Sequence, residues 1–130
     1  MRRPMIALAA LAIAVAACGG GDGGDTTAAT TTTAAATGDA TNGLALFNGT
    51  CIACHGEGGV GVEGLGKPFV NSEFIGGMSD ADLVAFVTVG RDTSDPENTT
   101  GVAMPAKGGN PALTEADLYD IVAYLRTLQG

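Results

Sequence analysis

The chain has 130 residues, with 6 Lys and Arg against 14 Asp and Glu and a formal net charge of −8. That acidic balance argues against nucleic-acid binding and suits partners with basic docking surfaces. With no Trp, two Tyr and four Phe, large side chains are too few for a full core, so a non-protein group is expected to help fill it.

Arg2 and Arg3 precede an apolar run over residues 5–17. The run is too short for a spanning helix, which needs about 20 residues, and it reads as a secretory signal. Val15-Ala16-Ala17-Cys18 resembles a bacterial lipobox, in which Cys18 becomes the lipidated first residue of the mature protein. The alternative is ordinary signal cleavage beside an incidental cysteine. After Cys18 the composition falls to Gly, Thr, Ala and Asp, which cannot bury enough apolar surface to fold. The expected organisation is a lipoprotein signal over residues 1–17, a lipidated cysteine and flexible tether over 18–41, and one folded domain over 42–130. The tether would reach about 25–30 Å r.m.s.. Loss of Arg2 and Arg3 leaves 4 basic side chains against 14 acidic ones. The expected location is the periplasmic or extracytoplasmic side of a membrane, held by acyl chains.

The folded part reads as helices separated by Gly-rich loops. Spacing predicts a first helix over residues 42–53, with Asn42 as N-cap and Leu44, Phe47 and Cys51 on one face. At its end stands Cys51-Ile52-Ala53-Cys54-His55. Two thiols so spaced can reach both vinyl groups of one porphyrin as thioethers, and the adjacent histidine is carried under the iron. A redox dithiol is one alternative, but no βαβ pattern surrounds the motif. A zinc site is the other, and it lacks a fourth ligand because His55 is the only histidine in the chain. A Gly-rich loop follows. A second helix is predicted over residues 80–89, capped by Ser79, with Asp82 in a capping-box position and Leu83, Val84 and Val87 as its buried stripe.

The long loop over residues 90–113 contains Met104-Pro105. With one histidine, a second imidazole ligand from the same chain is ruled out. Met104, in a Gly-, Pro- and Lys-rich loop, is the favoured sixth ligand, with Met78 or an open, exchangeable position as alternatives. A last helix is predicted over residues 115–128, capped by Thr114, with Leu118, Ile121, Val122 and Leu125 on its apolar face and Tyr124 beside them.

Taken together, Gly43-x-x-x-Phe47, Cys51-x-x-Cys54-His55, the Gly-rich loop, Met104-Pro105 and Ala123-Tyr124-Leu125 resemble a small bacterial class I, monohaem cytochrome c over nearly all of residues 42–130. The resemblance implies an all-α fold of three to four helices around one covalently attached haem c and its iron. Its N- and C-terminal helices would cross near a right angle, with Gly43 and Phe47 against Ile121 and Tyr124. It also implies a backbone carbonyl that accepts from the ring N–H of His55, with Pro68 as the expected source. Gly66-Lys67-Pro68-Phe69 departs here from the commoner Gly-Pro-x-Leu form. Arg91 is expected either to pair with a haem propionate or to be solvated. His–Met ligation suits a single-electron carrier rather than an enzyme. Such a carrier would act as a monomer or as a subunit of a respiratory complex, between respiratory or dehydrogenase complexes and an acceptor such as a terminal oxidase. The competing expectation is a peroxidase-like haem enzyme or a gas-binding haem sensor with an exchangeable sixth ligand.

Overall fold

The computed structural model describes residues 37–130, so the signal segment, Cys18 and most of the tether lie outside the described residues. The described part is all-α. Its helices are α1 (Ala40–Thr50), α2 (Ile52–His55), α3 (Glu73–Gly77), α4 (Asp80–Val89) and α5 (Glu115–Thr127), with 3₁₀ turns at Glu57–Gly59 and Ala106–Gly109. Among the described residues β-type pairing is confined to two isolated bridges, Val62 with Gly66 and Arg91 with Met104.

The first helix begins earlier than spacing predicts. Asp39 is its N-cap and accepts from the backbone N–H groups of Thr41 (2.7 Å) and Asn42 (3.2 Å). Asn42, expected as the cap, instead donates its side-chain amide to Asp120 Oδ2 at 2.7 Å. A carboxylate at the cap meets the exposed N–H groups with full charge, which frees the amide to tie α1 to α5. The predicted single helix over residues 42–53 is broken at Cys51, where the chain stays right-handed but turns into α2. The short α3 was not expected within a Gly-rich loop. Ser72 caps it, and the only buried side chain it contributes is Ile75.

The other two capping signals form as read. Ser79 opens α4 and hydrogen-bonds Asp82. Thr114 and Asp117 make a reciprocal capping box at the start of α5.

α1 and α5 meet with no room for a side chain at the contact. A Cβ on Gly43 would lie 1.9 Å from the carbonyl oxygen of Asp120, so glycine is what permits this backbone approach. One turn on, Phe47 is fully buried, with its ring centroid 5.2 Å from that of Tyr124 and 6.0 Å from that of Phe69. The core is apolar throughout: Phe47, Ile75, Leu83, Val84, Leu113, Leu118, Ile121, Val122, Tyr124 and Leu125.

Arg126 ties the far end of α5 to the α3–α4 junction. Its guanidinium donates to Asp80 Oδ1 (2.8 Å) and to the carbonyls of Met78 (2.6 Å) and Ile75. A planar fork can satisfy these divergent acceptors at once, which an ammonium group cannot.

Candidate functional site

The end of α1, α2, the loop over residues 65–72, the end of α4 and the Met104 loop enclose one cavity of about 510 Å³. Cys51, Cys54, His55, Pro68, Arg91 and Met104 all line it. The sequence places these residues in four separate stretches. Met78, the other methionine of the described residues, packs against the core and does not line the cavity.

The turn from α1 to α2 sets both cysteines on the cavity wall as unpaired thiols. Burial, with a smaller contribution from neighbouring Cys54, pushes the Cys51 thiol up from 9.0 to about 11. That is the reverse of the depressed thiol of a reactive Cys-x-x-Cys pair. Among the described residues no three His, Cys, Asp or Glu side chains gather in a way that could hold a metal ion. The zinc reading therefore lacks its ligand set among the described residues, and the raised Cys51 thiol runs against a reactive dithiol.

His55 is oriented from two sides. Its Nδ1 lies 2.9 Å from the carbonyl oxygen of Lys67, and its ring stacks on Phe69 at 4.0 Å between centroids and 22° between planes. A carbonyl can only accept, so Nδ1 carries the proton and Nε2 keeps its lone pair for a ligand. Burial lowers the His55 pKa despite the opposing effect of the Lys67 carbonyl, and this favours the neutral, ligating form.

The accepting carbonyl was expected from Pro68 and comes from Lys67, one residue earlier. Gly66 is pressed against the backbone of Cys54, where a Cβ would lie 2.1 Å from the Cys54 carbonyl oxygen. The next peptide of the chain is therefore the one that passes the imidazole. Pro68 follows as part of the cavity wall and biases Lys67 toward an extended backbone. Phe69, which occupies the leucine position of the commoner pattern, supplies the stack on His55. Neither contact was anticipated, although an aromatic directly after Lys-Pro was the available signal.

On the opposite arm, Met104 is fixed through its backbone. Its N–H donates to the Arg91 carbonyl (2.9 Å) and its carbonyl accepts from the Arg91 N–H (2.8 Å). Arg91 is not a solvated arginine. Its guanidinium carbon lies 4.9 Å from the Phe86 ring centroid and 5.3 Å from that of Phe74, and Nη1 donates to the Glu97 carbonyl at 3.2 Å. Nε is buried 3.4 Å from Asp95 Oδ2, close enough for ion pairing but without an aligned hydrogen bond. Lys107, also on the wall, donates to the Leu113 carbonyl at 2.6 Å.

The donor set fits a covalently attached haem. Two unpaired thiols line the cavity, an imidazole has one nitrogen committed and the other free, and a thioether sulfur belongs to a separate arm of the same cavity. Phe47, Phe69, Ile75, Leu113, Ile121 and Leu125 give the cavity apolar walls.

A family model described as cytochrome C oxidase, cbb3-type, subunit III matches residues 38–125. Cytochrome c-555 of Chlorobaculum thiosulfatiphilum is 35% identical over 88 residues, which are 67% of this chain and 93% of that protein. The cbb3-type cytochrome c oxidase subunit CcoP of Azospirillum sp. (strain B510) is 31% identical over 90 residues, covering 68% of this chain but 30% of the subunit. Subunit FixP of Azorhizobium caulinodans is 33% identical over 92 residues, 70% of this chain and 28% of the subunit. The chain thus spans less than a third of the oxidase subunits it matches and nearly all of the cytochrome c-555. No solved structure matches at comparable significance.

Proposed function

This chain belongs to the cytochrome c family of cbb3-type oxidase subunit III, and from that membership we propose that it carries single electrons at the outer face of a bacterial membrane. Its cofactor is covalent haem c. One observation carries the assignment of residues: a single cavity is lined by both thiols, the only histidine, and Met104 but not Met78. On this reading Cys51 and Cys54 would hold the haem as thioethers, and His55 and Met104 would supply the protein ligands to its iron. When bound, haem c supplies a one-electron couple whose ferrous state is favoured by thioether ligation.

The chain's own residues then keep that couple in place. Lys67 and Phe69 fix the plane of the His55 ring. The Arg91 backbone holds Met104, and the apolar wall would limit the access of water to the bound group. Arg91, anchored on Phe74 and Phe86, has further N–H groups to offer a propionate.

Cys18 as a lipidated residue, followed by a tether that ends before the Asp39 cap of α1, would anchor the domain to the membrane while letting it range over the surface. The excess of acidic side chains suits basic redox partners, a class that includes respiratory complexes and terminal oxidases.

The test is the reduced absorption spectrum of purified protein with and without carbon monoxide. An electron carrier keeps its low-spin bands, and its ferric form shows the weak long-wavelength band of methionine ligation. Rapid carbon monoxide binding by the unaltered protein would instead favour an enzyme or gas sensor. Met104→Ala is expected to abolish the methionine band and admit carbon monoxide; unchanged spectra would remove Met104 as a ligand. For the anchor, Cys18→Ala should release the protein from membranes in the absence of detergent, and a variant that stays membrane-bound would refute lipid attachment.

A further inference from the structure

The Met104 arm is a long excursion of the chain that leaves α4 at Arg91 and returns at Met104, closed at its neck by the backbone pair between those residues. Backbone bonds of Asp95 to Asp92 and of Asn98 to Asp95 order its outgoing half. Among the described residues, none of the backbone–backbone bonds outside helices involves residues 99–103, the half that leads directly into Met104. Two side chains take their place, Asn98 foremost and Thr100 beside it.

Asn98 Oδ1 accepts from the N–H groups of Thr100 (3.2 Å) and Gly101 (2.9 Å) and from the Thr100 hydroxyl (3.3 Å). Its Nδ2 donates to the Asp92 carbonyl (3.1 Å) on the outgoing limb and to the Val102 carbonyl (2.9 Å) on the returning one. The amide thus forms a second rung across the loop, next to the Arg91–Met104 rung. It uses acceptor and donor ends together, so its orientation is set by the network. Thr100 Oγ1 supports it by accepting from the Val102 N–H at 3.3 Å, and its one proton is shared between Asn98 Oδ1 and the Val102 carbonyl, each 3.3 Å away.

We propose that Asn98 is the positioning residue that holds Met104 on the cavity, and that it thereby keeps the sixth ligand of the iron from exchanging. The proposal rests on the reading of Met104 as that ligand. Without the amide, the limb over residues 99–103 is tethered to the rest of the loop only at its ends, and an open arrangement of the arm becomes populated. Aspartate keeps the acceptor side but loses both donors, so the Asp92–Val102 rung opens while the Thr100–Gly101 turn stays.

The experiment uses full-length holoprotein and the variants Asn98→Ala, Asn98→Asp and Met104→Ala. Amide hydrogen exchange reads the arm itself, carbon monoxide association with the reduced protein reads ligand exchange, and thermal melting reads the fold. Asn98→Ala is expected to speed exchange at Thr100, Gly101 and Met104 and to raise the carbon monoxide association rate at least about tenfold. Its melting temperature should stay close to that of the parent, and Asn98→Asp should fall between parent and Asn98→Ala in both other readouts. Unchanged exchange within residues 92–104 overturns the proposal whatever Met104 does. Faster exchange with unchanged carbon monoxide binding also overturns it, because Asn98 would then order the loop without holding the ligand. Failure of the ligand reading itself is distinguished by Met104→Ala, which in that case leaves the spectra of the parent.

Discussion

His55 illustrates how much of the site is decided by contacts of a few atoms. Its ring has one nitrogen engaged by Lys67 and one face covered by Phe69, and both contacts depend on the loop over residues 56–69 returning tightly to α2. Gly66 makes the closest part of that return, against Cys54. Gly66→Ala is therefore expected to push the Lys67 carbonyl off the imidazole. The loosened ring should appear as altered ligand-field anisotropy in the ferric electron paramagnetic resonance spectrum, together with a lower yield of holoprotein. A spectrum identical to that of the parent would show that the Lys67 contact does not orient the ring. Cys51-x-x-Cys54-His55 was legible as a haem motif because the chemistry demands consecutive residues. Lys67 was not legible as the acceptor, because a one-residue offset depends on where Gly66 meets the backbone of Cys54.

At the level of helices, the local signals were strong where the chain completes its own hydrogen bonds. Ser79 with Asp82 and Thr114 with Asp117 form at the positions their spacing predicts. The Thr114 side chain and backbone hold the Asp117 carboxyl below its usual range. A carboxylate depressed in the folded state contributes stability that is present above its unfolded value of 3.8 and is lost as pH falls through the lower folded value. Asp117→Asn should consequently lower the melting temperature at neutral pH, with the gap to the parent closing below pH 3.8. A constant gap across that range would contradict the assignment.

The longer ties were not visible. Arg126 reads as a polar residue in the last turn of a helix, yet it binds Asp80, Met78 and Ile75 across the molecule. Arg126→Ala should cost about 2 kcal/mol, and Arg126→Lys should recover only part of it, because part-buried carbonyls are left without a donor. Chemical denaturation of the holoprotein measures both.

For the molecule as a whole, the apolar core is small and the cavity beside it is large. Of ten buried apolar side chains, five (Phe47, Ile75, Leu113, Ile121 and Leu125) are on the walls of a space of about 510 Å³. A chain of this size gains little from a core beside so large a cavity, so the haem is expected to stabilise the fold as well as carry the electron. Cys51→Ala/Cys54→Ala protein free of haem is expected to melt without a cooperative transition. A sharp, native-like transition would show that the polypeptide core suffices.

Gly43 is the second point on which the assembly turns. Gly43→Ala places a methyl group against the Asp120 carbonyl and should destabilise the holoprotein by about 3 kcal/mol, as overpacking of a rigid contact does. Spectra of any folded fraction should be unchanged, because the contact lies between α1 and α5 rather than on the cavity wall.

What the sequence determined by itself is the chemistry that adjacent residues complete among themselves: the haem motif, the helix caps, the acidic charge and the absence of a second histidine. These follow from spacing along a helix or from composition, and no fold is needed to read them. The tertiary structure alone decided which of Met78 and Met104 reaches the cavity, which carbonyl meets His55, that Arg91 is pinned on Phe74 and Phe86, and that Asn98 braces the Met104 arm. Each of those outcomes depends on how far a loop travels before its backbone hydrogen bonds are satisfied. That distance is set by the surfaces the loop meets, not by the residues within it.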